Sequence, residues 1–131
     1  MPAPASLPAS HFVISRKQTT FVAKYLAMSY ERKIINDPVF GFINIPKGLL
    51  YDIVRHPLLQ RLTRIKQLGL SSVVYPGAQH TRFQHSLGAF YLMSEAIQQL
   101  TAKGNFIFDS EAEAVQAAIL MHDIGHGPFS H

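Results

Sequence analysis

The stretch His122-Asp123-Ile124-Gly125-His126-Gly127-Pro128-Phe129-Ser130-His131 decides how this chain is read. Three histidines and one aspartate fall within ten positions, beside two glycines and a proline. Imidazole and carboxylate bind divalent cations, and glycines let backbone approach a ligand closely, so the composition is that of a metal and phosphate site. Immediately upstream runs an apolar, helix-like segment containing Ala112, Ala114, Val115, Ala117, Ala118, Ile119, Leu120 and Met121. A helix apolar on most sides is buried, so it is expected to deliver His122-Asp123 into the interior. An unpaired charge is costly there, and Asp123 therefore needs a cation or strong donors.

On a helix, adjacent side chains diverge by about 100°. His122 and Asp123 can still share one metal if it lies off the helix end, where the chain turns at Gly125. Gly125 and Gly127 put His126 in a loop. A loop histidine beside a metal suits proton transfer, because its ordinary pKa of about 6.5 lies within reach of neutrality. The plainer alternative makes Asp123 a cap or ion-pair partner, His122 a core histidine and His126 an exposed loop residue. The glycine-rich continuation, the further histidines and an upstream cluster weigh against it.

That cluster is His80-Thr81-Arg82-Phe83-Gln84-His85. Arg82 precedes His85 by three residues, so on a helix both point to one side. An arginine beside a metal ligand can grip a phosphate that the metal also touches, although a surface ion pair would use the same residue. His80 is a second-layer or substrate contact, or simply a turn residue.

Further out, the pattern is mostly helical. Asp37-Pro38 reads as a turn leading to a short β segment over residues 39–45, with aromatics at Phe40 and Phe42. These two rings could stack a base, but such residues more often belong to the core. Leu49–Val54 reads as a short apolar helix. Pro57 is placed to open a helix through Leu68, stopped by Gly69, with Leu58, Leu62, Ile65 and Leu68 on its core stripe. Val73-Val74-Tyr75 reads as a buried connection closed by the Pro76-Gly77 turn. A long helix is expected from Arg82 to Ala102, and Ser110 with Glu113 suggests a capping box opening a last helix through Met121.

Composition narrows the classes. Of the 131 residues, 47% are hydrophobic and 15% charged, as in a globular domain rather than a disordered chain. No cysteine is present, which excludes disulfides and thiolate metal sites. No run approaches the roughly 18 apolar residues of a membrane span, so a cytoplasmic enzyme or binding module is expected. The net charge is +4, and the first 30 residues hold Arg16, Lys17 and Lys24 with no acid. These cations are not gathered on one helix face, and nucleic acid is not indicated. Residues 1–29 read as a disordered or spurious N-terminal extension, with Met28 as a plausible start and a transit peptide as the alternative. No GxxxxGK[ST] or GxGxxG loop occurs, and Ser130 lacks the strand-turn-helix setting of a nucleophile elbow.

The ordered boxes Lys33-Ile34-Ile35-Asn36-Asp37-Pro38, Gln60-Arg61-Leu62, Ile65-Lys66-Gln67-Leu68-Gly69, Tyr75-Pro76-Gly77-Ala78, Arg82-Phe83-Gln84-His85-Ser86-Leu87-Gly88 and His122–His131 resemble the HD-domain metal phosphohydrolases. Within them they are most similar to the deoxynucleoside triphosphate triphosphohydrolase branch. The resemblance implies a mostly α HD fold in which residues 31–131 form the N-terminal portion of the domain, incomplete at its C-terminus. It implies one divalent ion (Mn, Fe, Mg, Co, Ni or Zn) held by His85, His122, Asp123 and an aspartate beyond residue 131. By the same likeness His126 and Arg82 would be catalytic. Arg82 and His131 would contact phosphate, and Gln67 and Leu68 would border the sugar.

The implied reaction is attack of water at the α-phosphorus, giving deoxynucleoside and triphosphate. A homo-oligomer is the implied assembly, and the 131 residues alone would be inactive. Members that bind a guanine nucleotide as activator carry an aspartate where this chain has Arg55, and arginine accepts no hydrogen bonds. Two alternatives stand beside the enzyme: a non-catalytic nucleotide-binding or scaffold module, and an HD phosphodiesterase or nucleotidase acting on another ester.

Overall fold

A turn built by Asp37 organises the first described elements of the computed structural model, which describes residues 32–130. The readings for residues 1–29 and for His131 lie outside those residues. The Asp37 carboxylate accepts hydrogen bonds from the N–H groups of Val39 (2.8 Å) and Phe40 (3.0 Å). Gly41 then takes a φ of 73°, a left-handed conformation that favours glycine. The turn joins β1 (Arg32–Asp37) to β2 (Gly41–Pro46) in an antiparallel hairpin with register Arg32↔Pro46 to Asp37↔Gly41. The expected β element over 39–45 is therefore the second strand of a pair, starting at Gly41. Ile43 and Ile45 face the core while Phe42 is exposed, the alternation of a one-sided sheet. Phe40 belongs to the turn, and its ring stacks on Tyr91 with centroids 5.0 Å apart.

Helix α1 (Leu49–Arg55) buries Leu50 and Val54, one turn apart. Helix α2 (Pro57–Gln60) opens on Pro57, with His56 Nδ1 accepting from the Leu58 N–H at 3.3 Å. The helix expected to run on to Leu68 does not. It tightens into a 3-10 turn over Arg61–Arg64, and Ile65 leaves it in an extended conformation. Tertiary pairing overrides the helical pattern: the Ile65 carbonyl accepts from the Arg82 N–H (2.9 Å), and the Gln67 N–H donates to the His80 carbonyl (3.1 Å). Leu59, Leu62 and Ile65 carry the core contacts, while Leu58 and Leu68 are exposed. The segment expected as a buried connection instead includes a helical turn, α3 (Ser71–Val74), and Val73, Val74 and Tyr75 are exposed.

Helix α4 (Arg82–Ala102) has the expected bounds. A reciprocal cap fixes its start: the Gln84 N–H donates to Thr81 Oγ1 (3.2 Å), and the Thr81 N–H donates to Gln84 Oε1 (2.9 Å). Helix α5 (Asp109–Met121) begins at Asp109, with the Phe108 N–H donating to Glu111 Oε2 at 3.0 Å, so the Ser110/Glu113 box is not the one used. Nor is α5 buried on most sides. Only Ala117 and Leu120 are buried, and Ala114, Val115, Ala118 and Met121 are exposed. The core joins β2, α1, α2 and the 3-10 turn to α4 and α5 through Ile43, Ile45, Leu59, Leu62, Phe90 and Leu120. The architecture is mostly α with one small hairpin. Among the described residues, no helix is long and apolar enough to cross a membrane.

Candidate metal centre

Two helix ends meet at the centre. The first turn of α4 supplies Arg82 and His85, and the end of α5 supplies His122 and Asp123. One ligand atom from each of His85, His122 and Asp123 lies within 4.8 Å of the others. His85 Nε2 and His122 Nε2 are 3.1 Å apart, with the rings edge-on at 64°. His122 Nδ1 lies 2.6 Å from the Ile119 carbonyl, which can only accept, so Nδ1 carries a proton and, while the ring is neutral, Nε2 keeps its lone pair. Two imidazole nitrogens bound at right angles to one metal, at bond lengths of about 2.1 Å, stand about 3 Å apart. The observed pair matches that spacing, and the donor set fits a divalent cation of the imidazole-and-carboxylate class.

Asp123 is buried, whereas His85 and His122 lie open to solvent. The expectation of an interior His-Asp pair thus holds for the aspartate alone. Its two oxygens have separate tasks. Oδ2 accepts from Arg82 Nη1 at 2.8 Å, and Oδ1 faces His122 Nε2 at 3.5 Å and His126 Nε2 at 3.6 Å. Burial pushes the Asp123 carboxyl up, but the Arg82 hydrogen bond and the charges of His122, Arg82 and His126 outweigh it and hold the group below the usual carboxylate range. Desolvation pulls the His85 imidazole below its ordinary value despite the opposing Asp123 charge. Both directions favour the forms that ligate a cation: ionised carboxylate and neutral imidazole.

Arg82 is itself buried, and its Nη2 donates to the Ser130 carbonyl at 2.5 Å. Its terminal nitrogens therefore hold Asp123 and the 127–130 loop. His126 joins the centre through Asp123 and through Nδ1, which lies 2.9 Å from Ser130 Oγ. Gln67 lies on the stretch paired with residues 80–82, its backbone on His80 and its side-chain Oε1 buried without a partner; Leu68 beside it is exposed. His131 is outside the described residues. His80, exposed, lines a cleft of about 180 Å³ with His85, Gln84, Gly88, Phe40 and Asp37.

Two contributors were not legible as site residues in the sequence. Arg61 Nη2 donates to the Ile124 carbonyl at 2.6 Å and so anchors the turn after Asp123. Ser130 binds both Arg82 and His126. Arg61 stood within the Gln60-Arg61-Leu62 box, the one signal that could have drawn attention to it; Ser130 gave only its place in the glycine-rich run.

Residues 82–131 match the family model of the HD domain. Over this segment the chain is similar to that domain. All five converging residues fall within it. Over 101 residues the chain is 48% identical to the deoxynucleoside triphosphate triphosphohydrolase SAMHD1 of Bos taurus, covering 76% of this chain and 17% of that protein. It is 41% identical over 101 residues to the uncharacterized protein YwfO of Bacillus subtilis, covering 77% of this chain and 23% of that protein. Among solved structures, it is similar to a phosphohydrolase from Bacteroides thetaiotaomicron at 96% identity and a TM-score of 0.75, covering 77% of this chain and 25% of that one. The chain spans a quarter or less of the length of these relatives.

Proposed function

We propose that the protein is a metal-dependent phosphohydrolase that cleaves deoxynucleoside triphosphates into deoxynucleoside and triphosphate. One observation carries the reading: His85, His122, Asp123, Arg82 and His126 converge in a chain that is 48% identical over 101 residues to a triphosphohydrolase. A divalent ion held by His85, His122 and Asp123, whether Mn, Fe, Mg, Co, Ni or Zn, would polarise a phosphoryl oxygen and make water a better nucleophile.

The chain's own residues supply the rest. Arg82 keeps Asp123 ionised and aimed. Its Nε is buried without a partner, a donor left over once Asp123 and Ser130 are held. In the reaction, a water oxygen bonds to the α-phosphorus, and the bond from phosphorus to the sugar's 5′ oxygen breaks. The 5′ oxygen then receives a proton, and His126 Nε2, on the Asp123 side of its ring, would handle it. Gln67 and Leu68 are assigned to the sugar and His131 to the phosphates.

The test is product analysis of the full-length protein with each deoxynucleoside triphosphate and a divalent ion. Deoxynucleoside and intact triphosphate in equal amounts are expected. Monophosphate with pyrophosphate, or diphosphate with phosphate, would overturn the reading. Cleavage of other phosphate esters alone would make the protein a phosphodiesterase or nucleotidase, and binding without turnover would make it a scaffold.

A further inference from the structure

The loop after Asp123 holds more than His126. Over Gly127–Ser130 the chain folds into a tight turn in which the Ser130 N–H donates to the Gly127 carbonyl at 3.3 Å. Phe129 takes a φ of 63° within it, a conformation unfavourable for a side chain with a Cβ. Such a turn persists where surrounding contacts over-determine it. Here the Ser130 carbonyl is held by the buried Arg82 guanidinium, and the Ser130 hydroxyl lies on the His126 ring.

The hydroxyl has a single hydrogen, and its direction can be assigned. Ser130 Oγ donates to the Gly127 carbonyl at 2.7 Å, because that carbonyl can only accept. Toward His126 Nδ1, 2.9 Å away, Oγ therefore acts as acceptor, which puts a hydrogen on Nδ1. In neutral His126 the lone pair is then on Nε2, the nitrogen 3.6 Å from Asp123 Oδ1. The partner of one ring nitrogen decides what the other can do.

We propose that Ser130 is a positioning residue that holds His126 in its Nδ1–H tautomer, so that Nε2 is the atom exchanging protons at the centre. Through its carbonyl, the same residue ties that ring to the arginine that aims Asp123. The role of His126 in the reaction rests on the proposed phosphohydrolase function, whereas the tautomer is a property of the protein without substrate.

The test uses the full-length protein with ¹⁵N-labelled histidine, at a pH where imidazoles are neutral. Two-bond ¹H–¹⁵N correlations read the tautomer, and the His126→Asn variant assigns the signal. Wild type should show His126 with a protonated Nδ1 and a bare Nε2. Ser130→Ala should shift the population toward the Nε2–H form, and Ser130→Thr, which keeps the hydroxyl, should restore it. Turnover should follow: kcat lower on the order of ten-fold in Ser130→Ala with KM little changed, and recovered in Ser130→Thr. An Nε2–H signal in wild type, or an unchanged Nδ1–H signal in Ser130→Ala, would overturn the proposal. A protein that hydrolyses no phosphate ester would sink the functional reading while the tautomer measurement still judged Ser130.

Discussion

Arg82 occupies an environment that one substitution can expose. It is buried against a buried carboxylate, so Arg82→Ala leaves the Asp123 charge without its guanidinium partner, a change that typically costs about 3–5 kcal/mol. Denaturant unfolding should show that loss, with Arg82→Lys intermediate because a lysine keeps the charge but cannot reach both Asp123 and Ser130. A variant as stable as wild type would mean that the pair is not formed. The same residues predict how stability depends on pH in metal-free protein. Asp123 and His85 both have folded-state values below their ordinary ones. Each therefore adds stability that is fully present above its unfolded value, about 6.5 for His85 and about 4 for Asp123, and that fades as pH falls. The melting temperature should decline in two stages on acidification, and His85→Gln should remove the upper one. A wild-type profile flat between pH 7 and 5 would contradict this.

At the scale of elements, the hairpin and α4 lock through one hollow. A Cβ at Gly88 would come within 2.8 Å of the Phe40 ring, which is itself stacked on Tyr91. Gly88→Ala should destabilise by about 1–3 kcal/mol, as overpacking does. Combining it with Phe40→Leu should recover part of the loss in a double-mutant cycle, and additive effects would count against the contact. This lock also shows what the sequence could reveal. Helix α4 was legible to its last residue because cap, apolar spacing and terminal glycine agree locally. The 57–68 helix was misread because its end is set by Ile65 and Gln67 pairing with residues 80–82, a partner invisible in the local pattern. Strand β1 was missed for a related reason: Arg32–Asp37 is too mixed to announce a strand until β2 lies beside it.

Across the whole molecule, the candidate ligand residues stood out because their types and order are chemically unusual, while the groups that touch them did not. The family resemblance implied a shared ion on His85, His122 and Asp123, yet nothing local indicated that Arg82 would face Asp123 or that Arg61 and Ser130 would hold the turn. The ligands come from two separate helices, so an ion that binds only the folded form should brace α4 against α5. At an ion concentration a hundred times its dissociation constant, the gain is about 2.7 kcal/mol, and calorimetry should show a higher melting temperature that chelator reverses. His85→Ala should abolish the rise; a rise that survives it would place the ion elsewhere. The reach of Arg82 has a temporal consequence as well. Its partners stand 41 and 48 residues further along the chain. At about 5–20 residues per second, the ribosome takes roughly 2–10 s to deliver them. Until they emerge, a nascent α4 carries a guanidinium without these acceptors, so the centre sets only after α5 and the loop behind it are made.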